Sequence, residues 1–364
     1  MDRRRFLKNS FMTAGLFMSG CQFSFLGEKR GIALGSGKML RGGQPYYVLS
    51  VLDLNEFNQQ PVFIPLRFFA HGITPHPTNP NIVTLFEKKG PGACEVNLKT
   101  KRVLRMIETV EDRYFYGHSV YSQDGRLLYS TEATFRGENG VIAIRNTETM
   151  KIVGEFPSYG KAPHDLKMIN HGETLVVTNG GGRKGELLKE ARPNVAYVDI
   201  KSQMKLEVVE FPNENINAGH LSLSSKMDLV VVSAPRAGQS SLLGGVSFKP
   251  SGQPVITANE PAEIIKKMKA ESLSIALHES AQIVGVTNPD GNILTFWNYK
   301  TGKFLKAIEM NTPRSLGITK DQKYFVLGHG QTANISLIDV ESLAIEKEFQ
   351  KTGAGFSGSH LLII

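Results

Sequence analysis

Cysteine is almost missing: Cys21 and Cys94 are the only two in 364 residues. So sparse a set builds no disulfide framework, and Cys94, within a β-rich run, reads as a small buried hydrophobe. Tryptophan occurs once, at position 297. No apolar run is long enough to span a bilayer; the segment from Ser10 to Gly20 is short and weakly apolar. The formal charge is +8, but the lysines and arginines are dispersed and form no basic stripe, which argues against nucleic acid as a partner. Neither a G-x-S-x-G elbow nor an H-E-x-x-H helix is present, so neither serine nor zinc hydrolysis has a motif behind it. The glycine-rich run Gly180–Glu186 contains Lys184 but lacks phosphate-loop spacing, and is read as a flexible loop.

What the chain does have is a repeat. From Phe115 to Gly160 it reads as four short strands, His118–Ser122, Leu127–Thr131, Val141–Arg145 and Ile152–Phe156, parted by Asp-Gly and Asn turns. One such sheet cannot cover both of its faces, so it needs neighbours like itself. A hydrophobic strand ending in Asp or Asn before a polar turn recurs at Asp53, Asn97, Asn146, Asp199, Asn298 and Asp339. The intervals are 44, 49, 53, 99 (a double one) and 41 residues. Four strands every 40–50 residues is the signature of a β-propeller.

Inner strands are placed near His71, His118, His164, His220, Leu273, Arg314 and His360. Six units are complete between about 68 and 350, while 31–67 holds about three strands and Ser357–Ile364 one. The expectation is an all-β, seven-bladed propeller over 46–364, one domain, its ring closed by the C-terminal strand joining the N-terminal blade. Residues 22–45 are expected to be a flexible, glycine-rich lead-in. Glu260–Lys269 is the one convincing helix, with Pro261 in its first turn, acids leading and lysines following. Its short apolar face, Ile264, Ile265 and Met268, is assigned to packing on the ring rather than to a membrane contact.

Residues 1–21 are read as a targeting segment. Arg3-Arg4-Arg5-Phe6-Leu7-Lys8 resembles the twin-arginine export motif, although Asp2 stands where Ser or Thr is usual; general secretion is the competing route. Met18-Ser19-Gly20-Cys21 resembles a bacterial lipobox, so Cys21 is the expected lipidation site, against cleavage elsewhere or an uncleaved anchor. Losing the four cations and one anion of this segment lowers the formal charge from +8 to +5. The expected location is the periplasm, with a lipid at Cys21 as the only membrane attachment, and the expected state is a monomer.

Ile293–Gly302 resembles a WD-repeat strand with Asn298 at the Asp position, but the other blades lack that Trp, so the array is closer to YVTN-type and quinoprotein-like propellers. Phe115–Glu132, Gly154–Gly181 and Arg192–Ile200, behind the twin-arginine leader, resemble the domain of unknown function (DUF) 1513 family over nearly all of the mature chain. The resemblance implies an exported bacterial propeller often encoded beside imelysin-like iron-uptake proteins. It therefore implies a link to iron or metal acquisition, with an imelysin-like protein as a possible partner. The lipobox and the basic balance depart from that family's picture.

No catalytic set stands out. The leading reading is a non-catalytic propeller that binds a metal, a metal chelate or a partner protein. The alternatives are a lactonase-like or quinoprotein-like enzyme with its site at the channel mouth, and a pure interaction scaffold. Five of seven inner strands start with a histidine: His71, His118, His164, His220 and His360. Equivalent positions lie at one end of the channel, so these rings are expected to converge, with Glu132 as a carboxylate ligand; the bland reading has each imidazole bonding a neighbouring strand. Such a set suits zinc, copper, nickel or iron, and its affinity is expected to weaken below about pH 6.5. Asn179, Asn288 and His329 end second strands on the same side, and Arg314 beside them would favour an anionic chelate.

Overall fold

The computed structural model describes residues 29–182, 191–236, 239–240 and 244–364. The targeting segment with Cys21, most of the loop between Gly180 and Pro193, and part of the one between Ala234 and Gly245 lie outside the described residues. Seven four-stranded antiparallel sheets follow one another around a ring. The first full blade comprises Ala70–Pro75, Ile82–Glu87, Ala93–Asn97 and Arg102–Met106. The second runs from Arg113–Tyr121 through Leu127–Thr134 and Asn139–Asn146 to Ile152–Lys161. Inner strands of the third to sixth blades are Pro163–Ile169, Leu221–Leu223, Ile275–His278 and Pro313–Ile318.

The closing blade is made from both ends of the chain. Leu361–Ile363 is its inner strand and pairs antiparallel with Ile32–Arg41, matching Ala33 to Ile363 and Gly35 to Leu361. Gln44–Asp53 and Val62–Leu66 complete it. This corrects the expected lead-in over 22–45: the propeller starts at Ile32, and residues 32–41 pair along their whole length with 44–53. Gly35 and Gly37 are there for close packing, and Gly42 and Gly43, at φ 57° and 80°, turn the hairpin. A Cβ on Gly35 would stand 2.3 Å from the Phe356 ring, and one on Gly37 2.2 Å from the Gly355 carbonyl oxygen.

The Asp/Asn frame works as its chemistry dictates. Oδ1 accepts a backbone N–H two or three residues on at Asp53, Asn97, Asn146, Asp199, Asn298 and Asp339, over 2.7–3.1 Å. In the fourth blade, whose third strand Gly245–Lys249 ends without such a residue, Asp228 accepts from Ser251 N across the sheet instead.

Cores lie between blades. Tyr129 and Ile142 of the second pack on Leu175, Val177 and Ala196 of the third; Phe356 sits with Ala33, Leu52, Val326 and Leu337 at the seam. Each such side chain, fully buried, contributes roughly 1.5–3 kcal/mol. The helix is shorter than expected, Ala262–Lys267, with Pro261 at its N-cap. Ile264, Ile265 and Met268 pack against Phe248 and Trp297, so its apolar face belongs to the ring. No helix among the described residues is long and apolar enough to cross a membrane.

Candidate metal centre

The inner strands do not run straight into the channel. Their pairing with the second strand shifts register between Ala70 and Gly72, between Phe115 and Ser119, between Pro163 and Leu166, and between Pro313 and Leu316. His71, His118, His164 and Arg314 sit inside these irregularities, where a bulge re-aims a side chain. Threonines on the second strand hold the altered backbone: Thr131 Oγ1 accepts from His118 N at 3.3 Å, and Thr178 Oγ1 accepts from Asp165 N at 2.9 Å and donates to Gly219 O at 2.6 Å. Gly117, at φ 113°, brings its backbone so close to His71 that a Cβ would meet that ring at 2.6 Å.

Five imidazoles from five blades therefore meet at the axis. Ring centroids are 4.1 Å apart for His220 and His360, 4.2 Å for His164 and His220, and 4.6 Å for both His71–His360 and His118–His360. His71, His118, His220 and His360 each offer one nitrogen within 4.8 Å of the others, a set that could hold a metal ion. Three Nε2 atoms form a triangle: His71 to His220 3.3 Å, His71 to His360 3.3 Å, His220 to His360 2.8 Å. Imidazoles bound at 2.0–2.1 Å stand about 3.3 Å apart in a tetrahedron and about 2.9 Å apart in a square or octahedral arrangement. The triangle thus has the edges of a coordination polyhedron.

An outer nitrogen fixes the tautomer of His220. The Leu273 carbonyl can only accept, so His220 Nδ1 donates to it at 2.5 Å and leaves Nε2 as a lone pair. His118 Nδ1 lies 3.4 Å from Oδ1 of Asp165, and His118 Nε2 is buried with no hydrogen-bond partner among the described residues. Asp165 is itself buried and held by the backbone N–H of Leu166 at 2.8 Å and of Leu221 at 3.1 Å. Carboxylate–histidine pairs of this kind orient a ring and raise its basicity toward a metal. Burial lowers the pKa of His71, His118, His220 and His360 well below the usual imidazole value, assisted at His71 by the charge of Lys88 and at His118 by those of Lys167 and Lys88. The rings are held neutral, the form that ligates.

The other residues singled out in the sequence go elsewhere. Glu132, expected as a carboxylate ligand, is instead ion-paired to Arg145 at 2.6 Å, both side chains fully buried, and accepts from Thr109 Oγ1 at 3.1 Å. It alternates with Thr131, which faces the inner strand's bulge, so Glu132 points to the opposite face. Asn179 bonds Ser158 and Asn194, Asn288 donates to Ser272, His329 bonds Ser336, and Arg314 donates to Ser359 at 3.4 Å. Asn179 and His329 thereby link strands within their blades, while Arg314 bonds the residue beside His360. Asp165 was not singled out in the sequence; its signal was its place beside His164 in Pro163-His164-Asp165. Cys94 is a buried thiol pushed up to about 12 by burial, unreactive and away from the centre.

Fold and site together define a seven-bladed propeller with a histidine cluster closing its channel. The chain belongs to the DUF1513 family, a "protein of unknown function", whose pattern it matches over residues 64–361. No curated protein matches its sequence. Among solved structures it is similar to a chain of Kuenenia stuttgartiensis hydrazine synthase, with a TM-score of 0.64 and 12% identity over 90% of this chain and 99% of that one. At that identity the likeness is one of fold.

Proposed function

We propose that the protein is a non-catalytic metal-binding propeller that holds a first-row transition ion on His71, His118, His220 and His360. The observation that carries this reading is the Nε2 triangle, with edges of 2.8–3.3 Å, beside a His118 ring oriented by Asp165. An all-imidazole set suits zinc, copper, nickel or iron(II). Neutral donors on a rigid scaffold suit holding an ion. Residues 1–21 support export to the periplasm and attachment by a lipid at Cys21. Family resemblance supports iron as the physiological ion and an imelysin-like protein as partner.

Calorimetric titration of chelator-stripped protein with zinc, copper and iron(II) tests the reading. The expected result is one saturable site per chain for at least one ion, lost in a His220→Ala/His360→Ala variant that keeps its fold. Silence with every ion, or full binding by that variant, removes the metal centre.

A further inference from the structure

The inner strands continue past their histidine frame, away from the loops that lead into them. Residues just beyond that frame, among them Asp165, Lys167 and Ser274, line a cavity of ≈ 150 Å³. Three of the four candidate ligands, His118, His220 and His360, stand in the same wall. By its share of liquid volume the cavity has room for about five waters. A structural metal site is closed by its own ligands, whereas a site that exchanges ligands keeps a position open. This cluster is of the second kind on one side, because the cavity borders three of its rings. The charged groups of the described lining, Asp165 and Lys167, lie 3.9 Å apart and cancel formally. Ser274 is 2% exposed; its Oγ accepts from Leu316 N at 3.1 Å and donates to no other group among the described residues. The hydroxyl proton is therefore left for a guest.

We infer that an ion held by these histidines keeps a coordination position open toward the cavity and takes there a small monodentate anion of up to about four heavy atoms. The inference rests on the metal reading and adds an exchangeable external ligand to it. Imidazoles carry no charge when they ligate, so a dication keeps its full charge on four of them. The cavity's own charges balance, and an anion therefore gains more from the ion than a neutral guest does. The Ser274 hydroxyl donates to the bound anion, which selects a guest with an acceptor atom away from the metal.

The test uses the full mature chain loaded with one equivalent of copper(II) or, as a visible stand-in for zinc, cobalt(II). Metal content is measured first, and sodium azide is then titrated in while the visible spectrum is followed. Azide is expected to change the spectrum saturably in at least one loaded form. Ser274→Ala is expected to weaken azide binding severalfold, and Ser274→Leu, which fills the cavity, at least tenfold. Both variants should keep metal affinity within threefold of wild type and a cooperative melting curve. A loaded wild type whose spectrum azide leaves unchanged overturns the open position while the metal reading stands. Azide affinity unchanged in both folded Ser274 variants overturns the cavity as its place; if neither variant folds, the wild-type titration decides. An azide response that persists in the His220→Ala/His360→Ala variant puts the metal elsewhere and overturns the inference. If neither ion loads, the metal reading falls and takes this inference with it.

Discussion

Asp165 of the third blade places Oδ1 3.4 Å from Nδ1 of His118 in the second, and its other oxygen, Oδ2, accepts from Leu221 N at the start of the fourth blade's inner strand. One buried carboxylate thus brings three blades together at the level of the cluster, beside a candidate ligand. Asp165→Asn keeps an acceptor for one of the two backbone N–H groups, Leu166 or Leu221, and removes the charge. It is expected to weaken zinc binding about ten- to a hundredfold, measured by competition with a chromogenic chelator, with little change in the far-ultraviolet spectrum. Unaltered affinity would show that His118 is not a ligand.

The pH dependence follows from the depressed pKa values of His71, His118, His220 and His360, caused chiefly by burial. The unfolded chain takes up protons on these rings below about pH 6.5 while the folded chain refuses them. Stability of the metal-free protein is therefore fully present above that pH and falls as pH drops beneath it. The same shift moves proton competition for the metal site to lower pH than a free imidazole would give. Melting temperatures of metal-free protein at about pH 7.5 and about pH 5.5 check the sign; a His71→Gln/His220→Gln variant should lose less on acidification.

The Glu132–Arg145 pair makes a separate prediction. Arg145 donates to Ser130 Oγ at 2.5 Å and to the Glu108 carbonyl at 3.1 Å, so the pair fastens the link between the first and second blades. Arg145→Met leaves the buried Glu132 with only Arg113 at 3.8 Å and the hydroxyls of Thr109 and Ser130, at a cost of up to about 3–5 kcal/mol. Denaturant unfolding should register that loss while zinc affinity at the residual folded fraction is unchanged. A change in metal affinity with no change in stability would return Glu132 to the metal site.

Closure is tested from the C-terminal end. Removing 357–364 deletes the inner strand of the closing blade and strips Ala33, Leu34 and Gly35 of their partners. Each buried backbone group left unpaired costs about 1–3 kcal/mol, and the expected outcome is loss of a cooperative melting transition. Phe356→Ala, inside the seam, should cost about 3–5 kcal/mol by itself. A truncated chain melting like wild type contradicts the seam.

Attachment is tested at Cys21. Cys21→Ser is expected to move the protein from the membrane fraction to the soluble one, and the wild type to carry the mass of an acylated N-terminus. A variant that still sediments with membranes, together with a wild type lacking that mass, removes the anchor.

Much of the fold was legible because its signals are local. An Asp or Asn that closes its own turn marks the third strand of six of the seven blades, and the double interval between Asp199 and Asn298 betrays the seventh, without any tertiary information. Convergence of the histidines was legible because equivalent positions in a ring share one axis. What could not be read was the facing of single side chains. Glu132 follows a threonine that faces the inner strand, and a shift of one residue turns a side chain to the opposite face. The partnership of His118 with Asp165 joins residues 47 positions apart, through a register shift on each inner strand that periodicity does not announce. Glycine misled at 31–45, where it permits close packing that only the folded seam reveals.

The joining of Gly35 to Leu361 also sets a clock. More than three hundred residues must be made before the first strand meets its inner neighbour, and at roughly 5–20 residues per second that wait is on the order of 15–60 s. Through all of it the edge of Ile32–Arg41 lies open, a template for any other strand in reach. Closure of the ring thus waits on the synthesis of Leu361–Ile363.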